Sequence, residues 1–324
     1  MTWMITGGAG YIGSHVVKAL VDGGDQVVVL DDLSTGDAAR LPEGVHLERG
    51  SVLDRDVLDR VLREHDVDGV IHIAGKKQVG ESVERPLHYY HENVEGLRVV
   101  LEAAADAGVS RFLFSSSAAV YGMPDVDLVT EQTECLPMSP YGETKLAGEW
   151  LVSAVGKAHG MATASLRYFN VAGAASAELG DPGIFNLVPM VFERLTDGKA
   201  PLIFGDDYPT PDGTCVRDYI HVEDIASAHV AAAHRLAQDP SAALILNIGR
   251  GEGVSVAEMI EIIRDVTGIT EPAPETAPRR AGDPARVVAS GELITKELDW
   301  AARRDIREMV TSAWEGWLLR HPRG

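Results

Sequence analysis

Thr6-Gly7-Gly8-Ala9-Gly10-Tyr11-Ile12-Gly13 decides the fold of this chain. It joins a short run with strand character, residues 3–6, to a predicted helix over residues 11–22. Gly7, Gly10 and Gly13 keep the spacing GxxGxxG across that junction. Glycine there allows a tight turn and lets the backbone approach a pyrophosphate, which then rests on the N-terminus of the helix. Tyr11 and Ile12 open that helix and border the same turn. Asp31 ends the second predicted strand, where a carboxylate bonds ribose hydroxyls; it would repel an additional phosphate, so NAD is favoured over NADP. Asp32 could share that role, and either acid could instead serve only the turn.

Outward from this loop, β-rich runs alternate with helical stretches through the first half. Strands are predicted at residues 3–6, 26–30, 46–48, 69–73, 111–115 and 163–168, and helices at 11–22, 54–64, 86–107 and 139–158. The pattern is that of an α/β fold, a doubly wound parallel sheet covered on both faces, the Rossmann arrangement. Such sheets bind ligands at the carboxyl ends of their strands. The glycine loop, Asp31, the Ala74-Gly75 turn and Ser115-Ser116-Ser117 all follow strands, so they should converge on one crevice. Beyond about residue 170 the alternation loosens. Strands at 202–204, 216–220 and 244–247 mix with helices at 222–236, 255–267 and 304–319, and residues 270–284 are rich in proline. We therefore expect an NAD-binding domain over residues 1–170. A smaller mixed α/β substrate lobe is expected over 171–324, with some of its segments returning to the main sheet.

Composition narrows the class. The chain has 324 residues, 45% of them hydrophobic, enough for a sizeable core. A formal net charge of -20 argues against nucleic-acid and anionic-membrane partners, so a phosphate-bearing ligand must be held by locally placed Arg and backbone N–H groups. Cys135 and Cys215 form no CxxC and read most simply as free thiols of a reducing compartment, with a single disulfide between them as the alternative. The first strand begins at once and no run reaches the ~18 apolar residues that span a bilayer, so a soluble cytoplasmic chain is expected. Asp206, Asp207 and Asp212 lack the alternation of a calcium loop and the histidines lack ligand spacing, so no metal site is expected; no GxSxG elbow is present.

The chemistry points to Tyr141-Gly-Glu-Thr-Lys145, downstream of the serine run. Tyr141 and Lys145 lie one turn apart on one helix face. A phenol titrates near pH ~10 and is a poor base at neutrality. Lowering it by about three units asks ~4 kcal/mol of its surroundings, a load for Lys145 together with a cationic cofactor ring. Ser117 can bond a substrate hydroxyl and relay its proton, although a serine there also suits a polar turn.

These residues carry a resemblance that covers essentially the whole chain. It resembles the extended short-chain dehydrogenase/reductases and, within them, the UDP-glucose 4-epimerase family. The blocks are the glycine loop with Ser14-His15, Gly75-Lys76-Lys77-Gln78-Val79-Gly80-Glu81-Ser82, Tyr89-Tyr90-His91-Glu92-Asn93-Val94 and Ser115-Ser116-Ser117-Ala118-Ala119-Val120-Tyr121-Gly122. Arg167-Tyr168-Phe169-Asn170 follows. The most specific is Phe204-Gly205-Asp206-Asp207-Tyr208-Pro209-Thr210, running on to Arg217-Asp218-Tyr219-Ile220-His221-Val222. The resemblance implies that Ser117, Tyr141 and Lys145 act on sugar and nicotinamide. It implies a cofactor groove that also takes in Ser51, Val52, Ala74, Gly75, Lys77, Asn93, Ser115 and Tyr168. Asn170, Asn186, Leu187 and Phe204 would meet a uridine diphosphate, Lys77 would reach it too, and Arg217, Arg280 and Asp283 would close over its phosphates and ribose. Bidentate Arg is the natural partner of a pyrophosphate in an acidic protein.

What the resemblance implies is C4 epimerisation of UDP-glucose and UDP-galactose with NAD kept bound through turnover. The family's dimers, built on two helices per subunit, imply a homodimer through the helices near 86–107 and 139. Three positions depart from the family. Ser51 replaces an acid, Ala119 replaces a Thr, and Arg286 follows Pro284-Ala285 in a segment one residue short. A 4,6-dehydratase would need an Asp-Glu pair where Ala118-Ala119 stand. A 4-epimerase of UDP-N-acetylhexosamine or of a UDP-uronate, with Arg286 on the carboxylate, and a non-catalytic NAD-sensing module are the remaining alternatives.

Overall fold

The computed structural model describes residues 1–280 and 282–322. In chain order the strands are β1 Thr2–Thr6, β2 Gln26–Asp31, β3 His46–Arg49, β4 Gly69–His72, β5 Arg111–Ser117, β6 Ala162–Tyr168, β7 Asn170–Ala172, β8 Leu202–Phe204, β9 Val216–His221, β10 Ala243–Ile248, β11 Gly253–Ser255, β12 Glu275–Ala277 and β13 Arg286–Val287. The α-helices are α1 Tyr11–Asp22, α2 Arg55–Glu64, α3 Val79–Glu84, α4 Pro86–Tyr89, α5 Gly96–Asp106, α6 Pro140–His159, α7 Leu187–Thr196, α8 Val222–Gln238, α9 Val256–Thr267, α10 Glu292–Leu298 and α11 Ile306–Arg320.

Seven strands form one sheet in the order β10-β6-β5-β4-β1-β2-β3, with every pairing parallel. The reversal of order beside β1 opens a crevice at the carboxyl ends of β1 and β4, where such sheets take their ligands. One face is covered by α1 and α8, with Val16, Val17, Leu20, Ile225 and Leu236 in its core. The other carries α2, α5 and α6, with Leu58, Leu62, Val100 and Val152. As expected for a sheet buried on both faces, β1, β2, β4 and β5 carry the apolar runs Trp3-Met4-Ile5, Val27-Val28-Val29-Leu30, Val70-Ile71 and Phe112-Leu113-Phe114.

The second half does return to the main sheet, because β10 pairs with β6 at its edge. The remaining short strands form two small sheets, β7, β9, β11 and β13 in one and β8 with β12 in the other. A further core of Phe192, Tyr219, Met259, Ile263, Val310 and Trp314 lies among α7, α9 and α11. The proline-rich stretch contributes β12, whose Glu275 pairs with Leu202 of β8.

The predicted continuous helix over 86–107 differs in one respect. Between α4 and α5, Tyr90–Glu95 winds as a π-turn. The widened turn carries Asn93, which is 5% exposed and faces the loop after β4. Such bulges inside helices frequently mark functional sites, and no local sequence signal separates them from α-helix. Sequence reading also omitted α3, α7 and α10. At the start of α6, the Ser139 hydroxyl accepts from Gly142 N at 3.2 Å and Pro140 takes the first helical position. That cap fixes where Tyr141 leaves the helix. Both cysteines are free.

Candidate active site

The dinucleotide end is built by close backbone contact. Gly7 has φ +74, and a Cβ there would stand 2.7 Å from Ala74 N, so the loops after β1 and β4 touch only because it is glycine. A Cβ on Gly13 would overlap the Gly7 carbonyl oxygen. Gly10 caps α1, whose first turn holds no acidic residue, leaving that helix terminus open to an anion. Tyr11 opens the helix and its hydroxyl donates to Gly173 O at 2.6 Å, while Ile12 packs on the core.

Asp31 is buried at the end of β2, and its oxygens accept from Ala9 N and Leu33 N, both at 2.9 Å. It therefore fixes the glycine loop directly, and burial pushes its carboxyl above the ordinary range. Each oxygen keeps a further lone pair for a ribose hydroxyl. Asp32 is exposed and accepts from Ser34 N at 2.8 Å, which suits a turn acid. Ser51 also serves its turn, accepting from Leu53 N at 3.1 Å, and Val52 beside it packs towards Gly96.

Beyond β4, Ala74 N donates to Thr6 O at 3.0 Å and Gly75 takes φ +157. Asn93 clamps this loop. Its Oδ1 accepts from Lys76 N at 2.7 Å, and its Nδ2 donates to Lys76 O and to Thr144 Oγ1, each at 3.0 Å. The predicted pocket-lining residue thus orders the groove by holding its wall. Lys77 is exposed, with its ammonium 6.0 Å from the centre of the Tyr11 ring.

At the carboxyl ends of β5 and β6 the chemical groups assemble. Ser115, Ser116 and Ser117 pair in register with Leu166, Arg167 and Tyr168. Lys145 is 6% exposed; its Nζ donates to Ser115 O at 2.9 Å and stands 5.9 Å from the centre of the Tyr141 ring. Ser117 lies close enough to Tyr141, and Ser115 to Tyr168, for each serine to lower its neighbour's phenol against the effect of burial. Burial pushes Lys145 down to about 8, with Glu149 opposing. Its ammonium is therefore retained below about pH 8 and lost as the pH rises through that value.

Burial raises the Tyr141 phenol, and Ser117 is what lowers it. Lys145 faces the ring and Ser115 O, so holding a phenolate would ask for its charge together with that of a cationic cofactor ring in the groove.

In the second half, β7 follows β6 almost directly and pairs with β9, placing Asn170 opposite Tyr219. Asn186 caps α7 and donates to Asp181 Oδ2 at 3.3 Å, and Leu187 starts that helix. Arg217 Nη2 donates to Asp283 Oδ1 at 2.5 Å, and the Arg280 guanidinium lies 3.8 Å over the Phe204 ring. The residues expected at the nucleotide thus form two pairs, Arg217 with Asp283 and Phe204 with Arg280. Arg286 donates to Asp127 O at 3.1 Å, so its guanidinium is engaged with backbone. The three acids of the discarded calcium loop are used locally, Asp206 by Thr276, Asp207 by Arg279 and Asp212 by Ser255.

The model of the NAD dependent epimerase/dehydratase family matches residues 3–249. The chain belongs to that family. It is 45% identical to the UDP-glucose 4-epimerase of Streptomyces lividans over 99% of this chain and 97% of that protein. Among solved structures, it matches a UDP-glucose 4-epimerase of Stenotrophomonas maltophila, crystallised with NAD and formylated UDP-arabinopyranose. The TM-score is 0.95 at 39% identity, covering 99% of each chain. A Bifidobacterium longum UDP-glucose 4-epimerase with NAD+ and UDP gives a TM-score of 0.92 at 37% identity, again over 99% of each chain.

As a member of this family the chain is an NAD-dependent enzyme. The groove fits that cofactor on its own geometry: glycine backbone at the turn, an acid-free helix terminus for the pyrophosphate, and the buried Asp31 beside it for the ribose.

Proposed function

We propose that this enzyme interconverts UDP-glucose and UDP-galactose by inverting C4. The observation that carries this reading is the approach of Ser117 to Tyr141 with Lys145 fixed beside them, at the carboxyl end of a sheet whose glycine turn suits NAD. Tyr141 takes the proton of the sugar 4-hydroxyl, and Ser117 hydrogen-bonds that hydroxyl and passes the proton on. When bound in this groove, NAD would supply the hydride acceptor and donor for C4, so that the 4-keto sugar can be reduced again on its other face. Lys145 orients the ribose side of the cofactor while its charge favours the ionised phenol. Arg217 and Arg280 hold the diphosphate, with Asn170, Asn186, Leu187, Phe204 and Asp283 around the nucleoside. The hexose stays lightly held and free to turn.

Ala118 and Ala119 follow Ser117, so no acid–base pair stands there to eliminate water, which favours epimerisation over dehydration. The Arg286 Nε–H is held by Asp127 O and points that side of the guanidinium at backbone, which favours a neutral hexose over a uronate. Incubation with UDP-galactose and no added cofactor should yield UDP-glucose. Faster turnover of UDP-N-acetylgalactosamine or UDP-galacturonate would change the substrate, and no conversion of any of them by protein holding NAD would leave a binding module.

The enzyme is also read as a homodimer. Val83, Leu87 and Trp150, on α3, α4 and α6, are 62%, 85% and 67% exposed, more apolar surface than isolated helices of a monomer carry. Sedimentation at micromolar concentration should give twice the 34.8 kDa chain mass, and Leu87→Asp should halve it. A parent that sediments as a monomer overturns the reading. No helix among the described residues is long and apolar enough to cross a membrane.

A further inference from the structure

One turn beyond Lys145 on α6, Glu149 is 3% exposed and bonds two adjacent strands at once. Ser116 Oγ donates to its Oε1 at 2.5 Å; Arg167 Nε donates to Oε1 at 2.8 Å and Arg167 Nη2 to Oε2 at 2.5 Å. Arg167 Nη1 continues to the Tyr121 hydroxyl at 2.8 Å, which donates to Asn247 Oδ1 at 2.7 Å. Ser116 and Arg167 are register partners on β5 and β6, and each immediately precedes a residue of the centre, Ser117 and Tyr168. Because strand side chains alternate, fixing Ser116 towards α6 turns Ser117 the other way. A buried ion pair is costly to desolvate and could be replaced by apolar packing, so stability alone is a weak reason for its presence.

We propose that Glu149 is a positioning residue for the Ser117–Tyr141–Lys145 centre: from the buried face of α6 it locks the ends of β5 and β6 beneath Ser117 and sets a carboxylate one helical turn from Lys145. This rests on the epimerase reading above. Lys145 is faced by Glu149 from its own helix, by the Phe114 ring 5.1 Å away and Ser115 O from β5, and by buried His72 from β4. Glu149 is the anion among them, and its charge opposes the effect of burial on Lys145. Glu149 itself is faced by Lys145, Ser116, Arg167 and, across the pocket, Cys135.

Glu149→Gln leaves Arg167 buried without its partner, so it is paired with Glu149→Gln/Arg167→Met, which removes both charges. Two measurements decide. The first is the pH at which Lys145 loses its proton, read by NMR of 13Cε-labelled lysine in cofactor-free protein. The second is the pH profile of kcat and KM for UDP-galactose. In the double variant Lys145 should titrate about one pH unit lower, so kcat should fall about tenfold on the alkaline side, with KM within about twofold. A double variant that folds and shows the parental Lys145 titration and alkaline limb overturns the proposal, leaving the pair a matter of packing. Should the parent itself convert no nucleotide sugar, the functional reading fails, and the Lys145 titration still decides whether Glu149 holds that charge.

Discussion

Tyr141→Phe is expected to interconvert UDP-galactose and UDP-glucose about a thousandfold more slowly than the parent, with NAD still bound. The substitution removes one oxygen from a partly buried ring and leaves the groove, the glycine turn and the Asn93 clamp as they are. What it removes is the group that accepts the 4-hydroxyl proton. Positioned acid–base groups contribute about 10²–10⁴ in rate, and a thousandfold corresponds to about 4 kcal/mol of transition-state stabilisation. Ser117 keeps its place, because its Oγ also accepts from Ala119 N at 3.2 Å, so KM for the nucleotide sugar should change little. NAD content after gel filtration and single-turnover rates separate binding from chemistry. Parental kcat in Tyr141→Phe would remove the base assignment while leaving the cofactor reading intact.

The same residue carries a pH signature. In the cofactor-free enzyme, burial raises the Tyr141 phenol while Lys145 is pushed down to about 8. Rising pH therefore discharges Lys145 before it ionises Tyr141. A positive nicotinamide changes this order by favouring the phenolate, so the acid limb of kcat, which follows Tyr141, should lie well below the phenol's titration in cofactor-free protein. Coincidence of the two would mean that the cofactor's charge plays no part.

The contrast between those two residues shows what a sequence can and cannot disclose. Spacing alone placed Tyr141 and Lys145 on one helix face, and the Ser139-Pro140 cap placed them at its start. The parallel sheet was legible because its strands are buried on both faces and stand out as apolar runs between helices. Where Lys145 points was not legible. It follows from the reach of its side chain to Ser115 O on a strand remote in sequence. The π-turn at Asn93 escaped for the same reason, since the bonds that reward it go to Lys76 and Thr144 rather than to neighbours in the helix. Glu149 and Arg167 left only a faint trace, a carboxylate one turn beyond Lys145 and a cation inside an apolar strand. Arg217 and Arg280 were found through resemblance. Their partners, Asp283 and the Phe204 ring, arrive from segments that periodicity does not connect.

Gly13→Ala should abolish retention of NAD, and Gly10→Ala should weaken it less. Both add one methyl to the same turn, and helix propensity argues the opposite way, since Gly10 is the N-cap and Gly13 lies inside α1. The difference lies in what the methyl meets. At Gly10 a Cβ would sit 3.3 Å from Gly7 O, with the residue at φ -77, where any side chain is tolerated. At Gly13 it would overlap that same carbonyl oxygen and approach Gly8 Cα to 2.8 Å, and both obstacles are backbone. Gly7 cannot retreat, because its own Cα position is already so close to the loop after β4 that a Cβ there would meet Ala74 N at 2.7 Å. Relief must come from moving the first turn of α1 away from the strand ends, which takes its N–H groups off the pyrophosphate. Overpacking of this kind costs about 1–3 kcal/mol, and the lost phosphate contacts add to it. Affinity should fall by roughly a hundredfold or more, at about 1.4 kcal/mol for each tenfold. NAD content of the purified variants and titration calorimetry give the comparison, with melting temperature as a control for folding. If Gly13→Ala folds and holds NAD as tightly as Gly10→Ala, the turn does not cradle the pyrophosphate and the groove must bind its cofactor in another way.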